Sequence, residues 1–144
     1  MKLKQLSLFL ENKPGAINDP CQCLADAGIS ISTLTLADTK YFGVLRLLIR
    51  DWEKAKRILE EKGFVVKLVD VVAIEIDHTP GSLARVLDVF RENGINVEYL
   101  YAFPAGLDGR AVIIFCFDDP DEAVRKLSDV PGIVLVGGEA LFRE

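Results

Sequence analysis

Asn12 to Ile31 reads NKPGAINDPCQCLADAGISI. Sixty-six positions later His78 to Val97 reads HTPGSLARVLDVFRENGINV, and this echo constrains the fold more than any other feature. Pro14-Gly15 falls on Pro80-Gly81, and Gly28-Ile29 on Gly94-Ile95, with no gap between. Only four of the twenty positions are identical, but they are the turn-forming ones. The apolar positions between them correspond: Ile17 with Leu83, Leu24 with Phe90, Ile31 with Val97. A repeat of this length is one supersecondary unit built twice.

Each copy reads as strand, helix, strand, strand, helix, strand. Leu6, Leu8 and Leu10 alternate as in a half-buried strand. Residues 30–38 and 42–50 are rich in Ile, Thr, Leu and Val around a polar turn. Asp51 is placed to cap a helix with Ala55, Ile58 and Leu59 inward and Gly63 at its end, and Phe64 to Val69 is a fourth strand. In the second copy Val72 to Ile76 is a strand, and Leu83, Val86, Leu87 and Phe90 mark one helical face. Asn96 to Phe103 and Arg110 to Phe117 are strands around a Pro-Ala-Gly-Leu-Asp-Gly loop. Asp119-Pro120-Asp121-Glu122 starts a helix with Ala123, Val124 and Leu127 inward, and Ile133 to Val136 begins the last strand. This order predicts an α+β fold: two tandem ferredoxin-like βαββαβ sandwiches, antiparallel sheets with helices on one face, at 1–70 and 71–144. The junction FVVKLVDVVAIEID has no Gly, Pro or Ser, so the two units are expected to stay close and pack as one body.

The corner has its own chemistry. Proline pre-sets one torsion, and glycine turns the chain without a Cβ in the way. The helix that follows points free N–H groups and its positive dipole end at the loop, where a carboxylate fits. Ser82 adds a hydroxyl in the second copy. A Pro-Gly pair before a helix is by itself only a turn. Its return at the same place, followed each time by Gly-Ile-(Ser or Asn)-(Ile or Val), is what points to a receptor.

Asn12-Lys13-Pro14-Gly15 with Gly28-Ile29-Ser30-Ile31, and His78-Thr79-Pro80-Gly81 with Gly94-Ile95-Asn96-Val97, resemble the ACT domain. That domain is a small regulatory module that commonly binds amino acids. The resemblance spans nearly the whole chain as two tandem domains with no attached enzyme. It implies sheets paired side by side and a ligand at the seam, between the first loop of one domain and the second strand of its neighbour. The matching loop positions are Asn12, Lys13, Pro14, Gly15, Ala16 and Ile17, and His78, Thr79, Pro80, Gly81, Ser82 and Leu83. The facing strand positions are Ile31 to Leu34 and Val97 to Leu100. Backbone N–H groups would hold the ligand carboxylate. Carbonyls, or Asn12 or His78, would take its ammonium or side chain. The implied function is a non-catalytic regulatory protein binding a small amino acid or similar zwitterion. The alternative is a regulatory subunit or interaction module of an amino-acid biosynthetic enzyme such as acetolactate synthase.

The copies depart from the family pattern where it has Asp: here stand Asn12 and His78. Pro20 falls on Val86, inside the helix, where proline would remove a hydrogen bond and clash. Asp19-Pro20 therefore reads as a cap and first residue, with a late, short first helix. The two corners are expected to differ in shape. Ile31 and Leu34 are out of phase by one, as are Val97 and Leu100, which predicts a bulge in both second strands. Tyr99, Tyr101 and Phe103 alternate on one strand face, for core packing first and a pocket or seam second. Trp52, aligned with Pro120, is expected to be partly exposed.

Other classes are less consistent with the residues. Net charge is −5 with pI near 5.0, against non-specific nucleic-acid binding. The strand RAVIIFCF lacks the glycine and aromatic spacing of an RNA-recognition surface. An acylphosphatase-like enzyme needs a loop arginine, and the loops carry Lys13 and Thr79 instead. His78 is the only histidine, so no metal site or catalytic set is built around it, and no cofactor is implied. Three cysteines fit a reducing, cytoplasmic setting, and Cys21, aligned with Leu87, is assigned to helix packing. The N-terminal apolar run is too short for a membrane span, and exposed edge strands favour a homodimer.

Overall fold

The computed structural model describes residues 1–38, 40–104 and 110–142. Residues 105–109 of the expected Pro-Ala-Gly-Leu-Asp-Gly loop, and Thr39, lie outside the described residues. The elements run β1 (Leu3–Glu11), α1 (Asn18–Asp26), β2 (Thr33–Asp38), β3 (Phe42–Leu48), α2 (Trp52–Glu61) and β4 (Val66–Asp77). Then follow α3 (Ser82–Glu92), β5 (Val97–Phe103), β6 (Arg110–Phe117), α4 (Pro120–Leu127), β7 (Val134–Val136) and α5 (Gly138–Leu141). Two compact units result: Lys4–Val69, called the first unit below, and Met1–Leu3 with Asp70–Glu144, the second. The strand order is β2-β3-β1-β4 in the first and β7-β4-β6-β5 in the second. The ladders β1–β3, β2–β3, β4–β6, β4–β7 and β5–β6 are all antiparallel. Each unit is thus the ferredoxin-like βαββαβ sandwich, built twice.

The alternating strand residues of each copy bury one face under two helices. In the first unit Leu6, Leu8 and Leu10 of β1 and Leu45 and Leu47 of β3 meet Leu24 of α1 and Ala55 and Leu59 of α2. In the second, Val72, Ile74 and Ile76 of β4 and Phe115 and Phe117 of β6 meet Val86 and Phe90 of α3 and Ala123 and Leu127 of α4. Phe90 stands edge-on to Phe115 at 5.1 Å and to Phe117 at 5.3 Å. Full burial of such a side chain stabilises by roughly 1.5–3 kcal/mol.

Three helices end alike. Ile29 N–H bonds Leu24 O at 3.0 Å, Phe64 N–H bonds Leu59 O at 3.1 Å, and Ile95 N–H bonds Phe90 O at 2.8 Å. Gly28, Gly63 and Gly94 hold the left-handed torsion this closure requires.

Several expectations need correction. Leu87 is 37% exposed, so the inward stripe of α3 runs Leu83, Val86, Val89 and Phe90 instead. Cys21 is likewise off the core, and Cys23 packs there. The first helix is not capped by Asp19: it begins at Asn18, with Pro20 in its first turn, where a missing N–H costs nothing. Asp51 precedes α2 but makes no side-chain cap bond. The ladder of β5 shifts register between Val97 and Tyr99, as a bulge requires, while β2 keeps one register from Thr33 onward. Just before it, Ser32 N–H bonds Leu48 O, the residue opposite Thr33, so the irregularity in the first copy falls outside the strand. The strands at 30–38 and 64–69 begin later than expected, at Thr33 and Val66.

The short helix α5 follows the last strand without a signal in the sequence pattern. Phe142, directly after it, meets Phe103 edge-on at 6.4 Å. Phe103 pairs with Val112, whose side chain alternates with those of the Ile113, Phe115 and Phe117 core, so this contact lies on the sheet face opposite α3 and α4. Tyr101 shares that face and is buried, whereas Tyr99 is half-buried. Trp52 is half-buried, as expected. Among the described residues no helix is long and apolar enough to cross a membrane.

Candidate functional site

The two corners share one backbone. Ala16 N–H bonds Lys13 O at 3.3 Å, and Ser82 N–H bonds Thr79 O at 3.2 Å. Asp19 N–H bonds Gly15 O at 3.3 Å, and Arg85 N–H bonds Gly81 O at 3.0 Å. Gly15 and Gly81 have φ of 85° and 86°. The expected difference in backbone shape is therefore not present in these turns. The helix α1 starts later than α3 in the aligned frame because Pro20 has no N–H to close the next bond, whereas Val86 has one. Among the described residues, the N–H groups of Ile17 and Asn18 have no acceptor, nor do those of Leu83 and Ala84 at the matching places. Two amides at each corner point past the helix end, as an anion requires.

The side chains at the corners are not alike. At the first, Asn12, Lys13, Pro14 and Gly15 are exposed, Ala16 packs against the core, and Ile17 is 39% exposed. Lys13 pairs with Glu11 at 3.3 Å. Ile31 packs on the core and Leu34 is exposed on β2. At the second, His78, Thr79, Pro80 and Gly81 are exposed, Ser82 is buried and Leu83 half-buried. Val97 packs on the core and Leu100 is exposed on β5. The Thr79 and Ser82 hydroxyls lie 2.7 Å apart, and Arg85 Nη2 donates to Ser82 Oγ at 3.2 Å.

A cavity of about 320 Å³ opens beside this second corner, wholly within the second unit. Ile76, Val86, Val89 and Ile133 form its apolar lining, with Ser82, Arg85, Asp77 and Arg110 as the polar groups. Of the residues expected at the site, only Ser82 lines it. The corner loops themselves hold no arginine. The structure brings one from the first turn of α3 and another from the start of β6. Arg85 had a legible signal, since it stands three residues after Ser82 on the same helical side. Arg110 had none, because its place beside Asp77 depends on strand register. Arg110 pairs with Glu75 and with Asp77, the latter at 2.6 Å. Arg85 has no carboxylate partner among the described residues. A broader depression follows α2 between Trp52 and Leu68, and there Lys56 already pairs with Glu60 at 2.7 Å. Among the described residues no group of three or more His, Cys, Asp or Glu side chains is placed to hold a metal ion.

Duplicated ferredoxin-like units, each turning into its first helix through the same Pro-Gly corner, define a tandem ACT-type protein. A family model described as an ACT domain pair matches residues 1–130, and the chain belongs to that family. Among solved structures it is similar to protein BT0572 from Bacteroides thetaiotaomicron, at 33% identity and a TM-score of 0.91 over 100% of this chain and 98% of that one. It shares its fold with the regulatory subunit of aspartate kinase from Thermus thermophilus, at 20% identity and a TM-score of 0.62 over 87% of this chain and 90% of that one. The same holds for the corresponding subunit from Thermus flavus, at 21% identity and a TM-score of 0.59 over 85% and 88%. No curated protein matches the sequence.

Proposed function

We propose that the chain is a non-catalytic regulatory protein that binds a small amino acid or similar zwitterion at one or both of its Pro-Gly corners. The carrying observation is the repeated pair of amides with no acceptor among the described residues, Ile17 and Asn18 in one copy and Leu83 and Ala84 in the other. Two such N–H groups beside a helix N-terminus suit a carboxylate. The proposed contacts are the loops Asn12 to Ile17 and His78 to Leu83, with Ile31, Leu34, Val97 and Leu100 as the strand residues facing a ligand. The proposed domains are 1–70 and 71–144. Membership in the ACT domain pair family supports the regulatory reading, as does the fold shared with the regulatory subunits of aspartate kinase from the two Thermus species. A ligand regulates here by binding one arrangement of the protein better than another.

A thermal-shift screen of the twenty amino acids tests this. A ligand at a hundred times its Kd stabilises the native state by about 2.7 kcal/mol, a shift of several degrees. A flat response to all twenty would reject the reading.

A second reading, an interaction module for a biosynthetic enzyme such as acetolactate synthase, rests on one surface. Phe9 and Phe42 occupy neighbouring strands of the first unit on one face, and they are 66% and 57% exposed. Exposed aromatic groups of this kind mark contact surfaces. The same surface would serve a homodimer. Sedimentation of the purified chain, beside capture of the candidate enzyme on it, separates these outcomes.

A further inference from the structure

We infer that the ligand lies in the cavity of the second unit alone and that it is an amino acid with an apolar side chain, an inference that rests on the amino-acid-binding reading above. Volume limits the ligand first. About 320 Å³ is near the lower end of small-molecule sites, which run roughly 300–1,000 Å³. That suits a molecule of amino-acid size and not a nucleotide.

The lining then sorts the ligand's groups. Arg85 is a cation on the cavity wall with no carboxylate partner among the described residues, and its guanidinium already orients the Ser82 hydroxyl. Together they supply charged and neutral donors for a carboxylate. Asp77 offers the opposite charge to an ammonium, and Arg110 holds it in place at 2.6 Å. Ile76, Val86 and Ile133 leave the rest of the space apolar, where a charged or amide side chain would lose its water without gaining a partner.

The first unit cannot do the same. In the repeat frame Asp19 stands where Arg85 stands, and Ala16 where Ser82 stands. Strand register puts Phe42 opposite Glu11, as Arg110 is opposite Asp77. The cationic wall is thus replaced by a carboxylate, a methyl group and a ring, and a ligand carboxylate would meet Asp19. The common backbone of the two corners carries opposite charge at the helix turn that matters.

The test is calorimetric titration of the full chain with L-leucine, L-isoleucine, L-valine and L-phenylalanine. Isocaproate and isoamylamine, which are leucine without its ammonium and without its carboxylate, serve as probes of each charge. At least one of the four amino acids is expected to bind, with one site per chain, and isoamylamine not to bind. Arg85→Met is expected to weaken binding at least tenfold, Asp77→Asn to weaken it less, and Asp19→Asn to leave it unchanged. Full affinity in Arg85→Met, or two equal sites per chain, would overturn the placement while leaving amino-acid binding intact. Binding of polar amino acids only would overturn the ligand class. No binding by any of the twenty would remove the reading on which the inference stands.

Discussion

Arg110 donates to Asp77 Oδ1 at 2.6 Å from the position directly opposite it on the neighbouring strand. The same guanidinium pairs through Nε with Glu75, two residues back on β4. In the first unit the matching cross-strand partners are Phe42 and Glu11, and Phe9 stands where Glu75 does. One scaffold therefore carries an ion-pair cluster in one copy and an exposed aromatic pair in the other. Backbone ladders tolerate this exchange because cross-strand side chains, not the ladder itself, carry the difference.

Replacing Arg110 by Gln should cost about 1 kcal/mol, since the three side chains are a third or more exposed and water screens them. Urea unfolding in low and high salt measures it. The loss should shrink as salt is raised, and a double-mutant cycle with Asp77→Asn should show a positive coupling. A loss well above that figure and independent of salt would mean that Arg110 acts through packing of its aliphatic stem.

Two helices begin after an aspartate, but only one is capped. Asp119 accepts from Glu122 N–H at 3.1 Å at the start of α4, while Asp51 makes no such bond at α2. Asp119→Ala should cost about 1 kcal/mol and Asp51→Ala only a few tenths. Thermal or urea unfolding of the two variants side by side decides it, and equal losses would show that the cap chemistry is the same at both.

These aspartates also show what the sequence could and could not reveal. Residue type and spacing gave both helix starts, because Asp, Pro and Glu act over three or four positions. Whether the carboxylate turned inward to the amides depends on the torsions of the cap residue, which differ: ψ is 55° at Asp51 and 87° at Asp119. The repeat, the Pro-Gly corners and the helix-ending glycines were legible for the same local reason. Leu87 was misplaced because the i, i+3, i+4 pattern admits it or Val89 at the stripe edge, and only packing chooses. The helix α5 is four residues long, too short to show a period. The cavity was illegible because Arg110 and Ile133 reach it through register and loop path, and neither is written in local spacing.

Cys21 gives a prediction in pH. Burial pushes its thiol above the ordinary value of 9.0, because the thiolate loses water there. The folded pKa is raised, so the stabilising contribution of the neutral thiol is complete below 9.0 and is lost as pH rises through the folded value. In a chain carrying Cys23→Ser and Cys116→Ser, iodoacetamide should modify Cys21 more slowly at pH 8 than it does in the urea-unfolded chain. The rate should still be climbing above pH 9. Equal rates in folded and unfolded chains would show that Cys21 is solvated like a free thiol.

Gly81 and Gly15 separate stability from binding. Both hold a left-handed torsion, so alanine at either strains the backbone, costing about 1–2 kcal/mol. At Gly15 an added methyl meets nothing within 4 Å. At Gly81 it meets Arg85 Nη1 at 3.1 Å, the end of a flexible side chain that can swing aside. The two variants should therefore lose similar stability in urea unfolding. They should differ in ligand response, because only Gly81→Ala moves the guanidinium that bonds Ser82. A thermal shift with saturating amino acid should persist in Gly15→Ala and fall in Gly81→Ala. Equal retention in both would mean that Arg85 does not reach the ligand, and a stability loss below about 0.5 kcal/mol in both would mean that the corner relaxes out of its left-handed turn at little cost.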